Sequence, residues 1–390
     1  MITWDVCLTH DPVYGGIHRS VCNFARAFEG RILSFDDGAV DRSGSREERP
    51  VVRVACRPRA LNAACHWVTP RMAAEAARAV AGADLLVVHS MFRGHAPWAA
   101  RWCRAHRKPW LSVLEGCLDP WGLQKNAAAK RLWLATRGRP FFAGASRVIA
   151  ATHRERAKAA AWVPADRMAV VHWPVELPSA TGREADRSAF RNAHGIPESG
   201  RVLLFVGRLH PMKRPAHTVE AFVRAGPAAG HLVMAGMEEG VSIASLRALV
   251  PPEAAGRVHV VGPLAGADLA AAFHAADGFV SLSHRENFGY SLAEALAAGL
   301  PVLVTPGHDL AHDVAAAERT GFPCGWLLPD DGLETAVAAI RDFAAAPAAR
   351  LASLGAAGRA WAADHLAFDR FRDALRGIAA DAVPATGRRP

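Results

Sequence analysis

Residues 283–305 read SHRENFGYSLAEALAAGLPVLVT. YSLAEALAAG is a helical stretch in which Gly299 stands where a C-cap belongs, and Pro301 starts the next element at once. PVLVT is then a short apolar run of strand length, and GFVSLS, 278–283, is another just upstream. Strand, helix and strand in immediate succession are a parallel β/α unit. Between the first strand and the helix, Glu286 falls in the connecting loop, and Gly289, Tyr290 and Ser291 present the free backbone N–H groups of a helix start, a ready anion site. Glu294 follows eight residues after Glu286, inside the helix. At 1.5 Å per residue such a separation approaches about 12 Å, too far for a shared proton but suited to one extended ligand touched twice. A glutamate at a helix start is often only a dipole partner. Glu294 is harder to dismiss, because among Leu292, Ala295, Leu296 and Ala298 an unpaired carboxylate would be costly.

Upstream, FVGRLHPMKRPAHTVEAF (205–222) has the same build. Gly207 ends a strand, Arg208 and Lys213 occupy the loop, and Pro215 opens a helix as its first residue. Two cations beside a helix start would neutralise a diphosphate leaving group. RVLLFVG, HLVMAG, RVHVVG, GFVSLS and PVLVT are the strands of this half, and RPAHTVEAFVRAG and DLAAAFHAA are further helices. The first half repeats the alternation: ITWDVCLT, RILSF, VVRVAC, DLLVVHS, PWLSVL and SRVIAAT read as strands, and IHRSVCNFARAF as a helix after the Gly15–Gly16 turn. The expectation is α/β: two doubly wound domains facing a cleft. They span 1–175 and 196–365 with a linker at 176–195, and residues 366–390 supply a terminal helix packing back on the first domain, plus a tail.

At 390 residues the chain is long enough for two cores. Its seven cysteines are scattered without a C-x-x-C pair, which argues against a disulfide framework and against a zinc site. No basic leader followed by an apolar run opens the sequence, and no apolar stretch of about 18 residues occurs, so a cytoplasmic chain is expected. The net charge of +9 is regional. Residues 91–170 hold 15 Lys+Arg against 4 Asp+Glu, while 181–390 hold 20 against 22. A basic first half attracts anionic lipid surfaces or lipid-linked phosphates. KRLWLATRGRPFF (130–142) interleaves its charges with Trp133, Phe141 and Phe142, either as a solvated helix face or as a contact with an anionic membrane. No nucleic-acid module accompanies the charge, so nucleic acid is not an expected partner.

A strand ending G-R-L-x-x-x-K, followed about 70 residues later by E-N-F-G-x-x-x-x-E-A-L-A-x-G-x-P-V, resembles the retaining glycosyltransferases of family 4, which have the two-Rossmann-domain GT-B fold. The likeness extends to Gly15–Gly16, to LEGCLDPW (114–121) and to the G-P-L stretch near 262; the E-x7-E block is its strongest part. It implies metal-independent hexosyl transfer from a UDP- or GDP-sugar to a glycan, in bacterial-type polysaccharide or glycoconjugate synthesis; the basic first half fits a lipid-linked acceptor and peripheral contact with the inner face of the plasma membrane. No cofactor is implied. Carried over, Arg208 and Lys213 would bind the donor diphosphate, Glu294 the ribose and Glu286 the transferred sugar. Gly207, Phe288, Gly289, Tyr290 and Ser291 would line the donor site. Arg208, Lys213 and Glu286 would be the catalytic groups, with no metal ligand and no D-x-D pair. Gly15, Gly16, His89, Glu115 and Asp119 would lie on the acceptor side. Family members often carry His-Gly where this sequence has Glu115-Gly116; His18, His89 and His95 are the nearby imidazoles. A non-catalytic nucleotide-sugar-binding partner of another transferase and a GT-B-type sugar-nucleotide epimerase are the alternatives.

Overall fold

The computed structural model describes residues 1–8, 10, 15–35, 49–54, 68–124, 126–176, 182–316 and 322–383. The chain divides into two units: Met1–Pro174 together with the terminal helix Phe368–Ala382, and Val175–Ala367.

Among the described residues the first unit holds a seven-stranded sheet: β1 Thr3–Cys7, β2 Arg31–Ser34, β3 Val51–Arg53, β4 Leu85–His89, β5 Trp110–Val113, β6 Arg147–Ala150 and β7 Met168–Val170. Its order is β3-β2-β1-β4-β5-β6-β7, with every pairing parallel. The burial of β1, β4 and β5 is continuous rather than alternating, as in a strand covered on both faces. Val6, Leu33, Leu86, Val88 and Val148 pack with Trp98, Trp102 and Phe142 from the covering helices. The terminal helix belongs to this core: Phe371 meets Phe24 and Trp173 edge-on at 5.1 and 6.2 Å, and Arg376 donates to the carbonyl of Ala27.

The second unit holds β8 Val202–Val206, β9 His231–Ala235, β10 Val258–Gly262, β11 Gly278–Ser281, β12 Val302–Val304 and β13 Gly325–Leu327, ordered β10-β9-β8-β11-β12-β13 and again all parallel. Both sheets therefore share one doubly wound order, in which the chain reverses direction between the first and fourth strands of the unit. Ligands of such sheets sit outside the carboxyl ends of the strands at that reversal. The points to inspect are the ends of β1 and β4 in one unit and of β8 and β11 in the other.

The segment expected to link the domains departs from that expectation. Residues 177–181 lie outside the described residues, but Arg183–Ala193 is a helix packed against the helix Gly266–Ala275 of the second unit. Arg191 on it is fully buried and donates to the carbonyls of Ala275, Pro197, Glu198 and Gly200 and to Asp277. Those bonds pin the helix; its packed face is Phe190 and Arg191 rather than an apolar stripe, so the run READRS reads as solvated.

Candidate active site

In the second unit the carboxyl ends of β8 and β11 gather the expected donor residues. Gly207 N–H donates to Ala235 O at 3.0 Å, and a side chain on the facing Gly236 would strike the Gly207 carbonyl, so the two loops touch backbone to backbone. Arg208 then projects to Glu239, Nη1 to Oε2 2.5 Å, with its side chain still 43% exposed and therefore free to exchange partners. Lys213 closes the short 3-10 turn Pro211–Lys213, and the left-handed Arg214 (φ 54°) lets Pro215 begin the helix Pro215–Ala225. Across the reversal, His284 N–H donates to Met212 O, while Glu286 N–H donates to Gly307 O and its carbonyl accepts from Asp309 N–H. Those bonds bring Lys213 and Glu286 into a direct ion pair, with their side chains 13% and 17% exposed.

Burial, then the neighbouring Arg208 guanidinium, draw the Lys213 ammonium down to about 7, and Glu239 acts in the opposite sense. The contact with Glu286 also opposes loss of that charge. Gly289 (φ 76°) precedes the helix Tyr290–Ala298, and a Cβ there would stand 2.7 Å from Glu286 Cγ, so glycine is required twice over, by its backbone and by the carboxylate beside it. Phe288 is buried edge-on to Tyr290 at 5.2 Å, Ser291 lies in the helix's first turn, and Glu294 is partly buried on the same helix. Beneath the pair sits His308, fully buried, with Nε2 3.0 Å from Ser281 Oγ; burial, and then Lys213, push it down to about 3 and leave it a neutral imidazole. His308 and Glu239 were invisible to motif reading, since neither stands in the two quoted segments.

In the first unit the corresponding strand ends hold a buried charge network. His89 closes β4, and both its nitrogens face carboxylates: Nε2 to Asp5 Oδ1 at 3.0 Å and Nδ1 to Glu115 Oε1 at 3.1 Å. Glu115 sits in the left-handed region (φ 54°) just after β5 and accepts from Ser20 Oγ at 2.6 Å. Burial opposes charge on the imidazole, but hydrogen bonds to Asp5 and Glu115, with their charges, raise it to about 9. Burial raises Asp5, which His89 counteracts. His95 donates from Nε2 to the His89 carbonyl at 2.8 Å, and burial pushes it down to about 4, so it orients a neighbour as a neutral ring. Glu155 fixes the next turn by accepting from Gly116 N–H and Ala151 N–H, both at 2.6 Å.

Gly15 (φ 53°) and Gly16 start the helix Gly16–Phe28 that carries Ser20 and His18. Asp119 is engaged internally, accepting from Trp121 N–H at 2.9 Å and from Lys158 Nζ at 2.7 Å. Asp5, Ser20 and Glu155 were missed; the one legible signal was a lone charge in the apolar run ITWDVCLT. The aromatics of 130–142 turn inward, with Trp133 on Phe92 at 5.2 Å and Phe141 and Phe142 buried, so they are not a surface patch. Leu132 is exposed there on the same helical stretch as the exposed Arg131, Arg137 and Arg139, and Trp121 is exposed on the preceding helix Pro120–Gln124. No helix among the described residues is long and apolar enough to cross a membrane.

The family model "Glycosyl transferases group 1" matches residues 186–361, and "Glycosyl transferase 4-like domain" matches residues 15–174. The chain belongs to the group 1 glycosyltransferases of family 4. This transferase is 32% identical over 320 residues to a D-inositol 3-phosphate glycosyltransferase of Kineococcus radiotolerans, covering 76% of this chain and 71% of the relative. It is 30% identical over 315 residues to the Salinispora arenicola protein of the same name, covering 70% and 67%. Its fold matches the crystal structure of Anabaena HepE in complex with UDP and glucose, with TM-score 0.78 and 18% identity, over 97% of this chain and 99% of that one. It likewise matches a sucrose-phosphate synthase from Thermosynechococcus elongatus, with TM-score 0.72 and 19% identity, over 97% and 98%. The two-domain α/β fold of the GT-B glycosyltransferases is thus established for this chain.

Proposed function

We propose that this glycosyltransferase moves a hexose from a UDP- or GDP-sugar to a lipid-linked glycan with retention of configuration, without a metal at the donor diphosphate. The observation that carries the reading is the Lys213–Glu286 ion pair beside Arg208, at the carboxyl ends of β8 and β11. An incoming diphosphate would take over Lys213 and Arg208 from their carboxylates, and the released Glu286 would accept from hydroxyls of the transferred sugar. The helix start at Gly289–Ser291 would add N–H donors, and Glu294 would accept from the ribose. With the leaving group neutralised in this way, an acceptor hydroxyl held on the donor's front face needs no protein nucleophile.

The exposed Leu132 on one helical stretch with Arg131, Arg137 and Arg139, together with the exposed Trp121, supports docking of the first unit on an anionic lipid surface. A second acceptor class has its own support: the similarity to D-inositol 3-phosphate glycosyltransferases favours a phosphorylated cyclitol. Either acceptor carries phosphate and suits a basic unit. The deciding experiment supplies purified protein with a panel of nucleotide sugars and both acceptors, and follows nucleoside diphosphate release and the anomeric configuration of the product by NMR. Transfer should proceed at the same rate with or without added magnesium or manganese. If Lys213→Ala and Glu286→Ala both left donor binding and transfer intact, the assignment would be wrong. Binding without transfer or hydrolysis would instead mark a non-catalytic partner, and interconversion of nucleotide sugars without an acceptor would mark an epimerase.

A further inference from the structure

Three side chains of the first unit converge beyond the end of β1. His10 is buried, and its carbonyl accepts from Arg53 Nη2 at 3.3 Å. His18 and Cys22 stand four residues apart on the helix Gly16–Phe28, on one face and partly exposed. Cys22 Sγ lies 3.4 Å from His10 Nε2 and 3.8 Å from His18 Nε2. The two rings are 4.4 Å apart and tilted by 41° rather than stacked flat. One ligand atom from each of the three residues can be chosen so that all lie within 4.8 Å of one another.

A thiol can donate to one imidazole and accept from the N–H of the other, so the sulfur contacts alone do not call for an ion. A tetrahedral zinc ion fits the convergence of all three side chains. Zn–S of about 2.3 Å and Zn–N of about 2.05 Å at the tetrahedral angle put sulfur and nitrogen about 3.6 Å apart. The two observed separations straddle that value. His18 Nδ1 is 4.0 Å from the sulfur, so either nitrogen of that ring lies within reach of an ion beside it. A thiolate with two imidazoles selects zinc over the hard cations, which prefer oxygen ligands. Partial exposure of His18 and Cys22 gives an ion a way in, and three protein ligands leave the fourth position to water.

We propose that His10, His18 and Cys22 form a zinc-binding site that ties the end of β1 to the helix opened by Gly15–Gly16. The spacing, H-x7-H-x3-C, contains no C-x-x-C pair, which is why cysteine spacing alone argued against zinc. The inference is independent of the donor chemistry, whose proposed groups all belong to the second unit.

The test uses the untagged full-length chain, reduced and stripped of metal. Cobalt(II) should bind one ion per chain with a thiolate-to-metal charge-transfer band in the near ultraviolet, and zinc should displace it. Cys22→Ser should abolish the band, while Cys117→Ser should keep it. His10→Ala and His18→Ala should each weaken zinc binding about tenfold or more. Zinc-edge X-ray absorption on the unmodified chain should fit one sulfur and two imidazole nitrogens, a readout that stands even where a variant fails to fold. The proposal is overturned if the chain takes up no zinc at micromolar concentration, if folded Cys22→Ser binds it as tightly as the parent, or if the absorption data lack sulfur.

Discussion

Replacing His89 with Gln tests whether the first unit depends on a buried imidazolium. Its side chain is inaccessible and lies between Asp5, equally inaccessible, and Glu115, whose side chain is 5% exposed. The amide keeps much of the volume and loses the charge, leaving two carboxylates buried without their cation. Breaking a buried pair from one side costs about 3–5 kcal/mol, a large share of the roughly 5–15 kcal/mol available to a folded domain. A second, independent magnitude comes from linkage. The folded pKa, about 9, lies above the unfolded value of 6.5, so the stabilisation is complete below pH 6.5 and is lost as pH rises through 9. Between pH 6.5 and 8.5 the loss is about 2 kcal/mol. Asp5, raised by burial, adds a slope of the same sign at the acid end.

The buried thiols of Cys103 and Cys117, pushed up to about 12, add theirs only from about pH 9, which sets the upper bound of the experiment. Urea unfolding followed by tryptophan fluorescence reports on this unit, because nine of the eleven tryptophans belong to it. With a slope of about 2 kcal/mol per molar urea, the wild-type midpoint should fall by roughly 1 M over that window. The His89→Gln midpoint should start lower and stay nearly flat. A wild-type midpoint that is constant or rises from pH 6.5 to 8.5, or a variant that costs less than about 1 kcal/mol, would refute the charged-network reading.

Three further outcomes are expected. Arg191→Met removes the guanidinium that holds the helix Arg183–Ala193 and should lower the stability of the second unit by about 3–5 kcal/mol, read by calorimetry as a drop in that unit's transition alone. Gly289→Ala places a methyl 2.7 Å from Glu286 Cγ at a left-handed φ, so transfer should fall about tenfold or more for a stability cost of only about 1–2 kcal/mol; unchanged transfer would separate Glu286 from the chemistry. Because the Lys213 amine is drawn down to about 7, its charge disappears as pH rises, so donor affinity should weaken above pH 7 and donor binding should take up protons, measurable by titration calorimetry in buffers of different ionisation enthalpy. A pH-independent affinity between 6 and 9 would count against Lys213 as the diphosphate ligand.

The doubly wound architecture was legible because it is written in local periodicity. Apolar runs of strand length alternate with amphipathic helices, and continuous burial on β1, β4, β5 and β8 follows from sheets covered on both faces. The residues of the proposed donor site were legible as candidates for a related reason: Arg208, Lys213, Glu286 and Glu294 lie in two short segments whose loops and helix starts can be read in place. What stayed hidden is long-range. His89 meets Asp5 across 84 residues and Glu115 across 26, and nothing local to Asp5 distinguishes it from a strand residue tolerating a charge. Arg191 was hidden by the opposite illusion, a charged helix surface that reads as a solvated linker although the guanidinium beneath is wholly buried. Trp133, Phe141 and Phe142 read as a patch because interleaving with arginine looks the same in sequence whichever way the rings turn.

The two sheets share one strand order, and at the reversal of each stands a cation between acids. The resemblance ends at accessibility. In the first unit, both nitrogens of His89 are used and the carboxylates beside it are sealed from solvent. A ligand could recruit these groups only by leaving a partner buried and unpaired, at a cost of several kcal/mol. Such a network holds the strand ends in place and is poorly suited to binding. In the second unit, Arg208 and Glu239 are each more than 40% exposed, and the Lys213–Glu286 pair is accessible at its edge. A diphosphate there can replace one anion with another and leave no cation bare. The same topology thus yields a fixed frame in one unit and an exchangeable pair in the other. That difference in solvent access, more than the identity of the residues, is what favours the second unit for the proposed donor site.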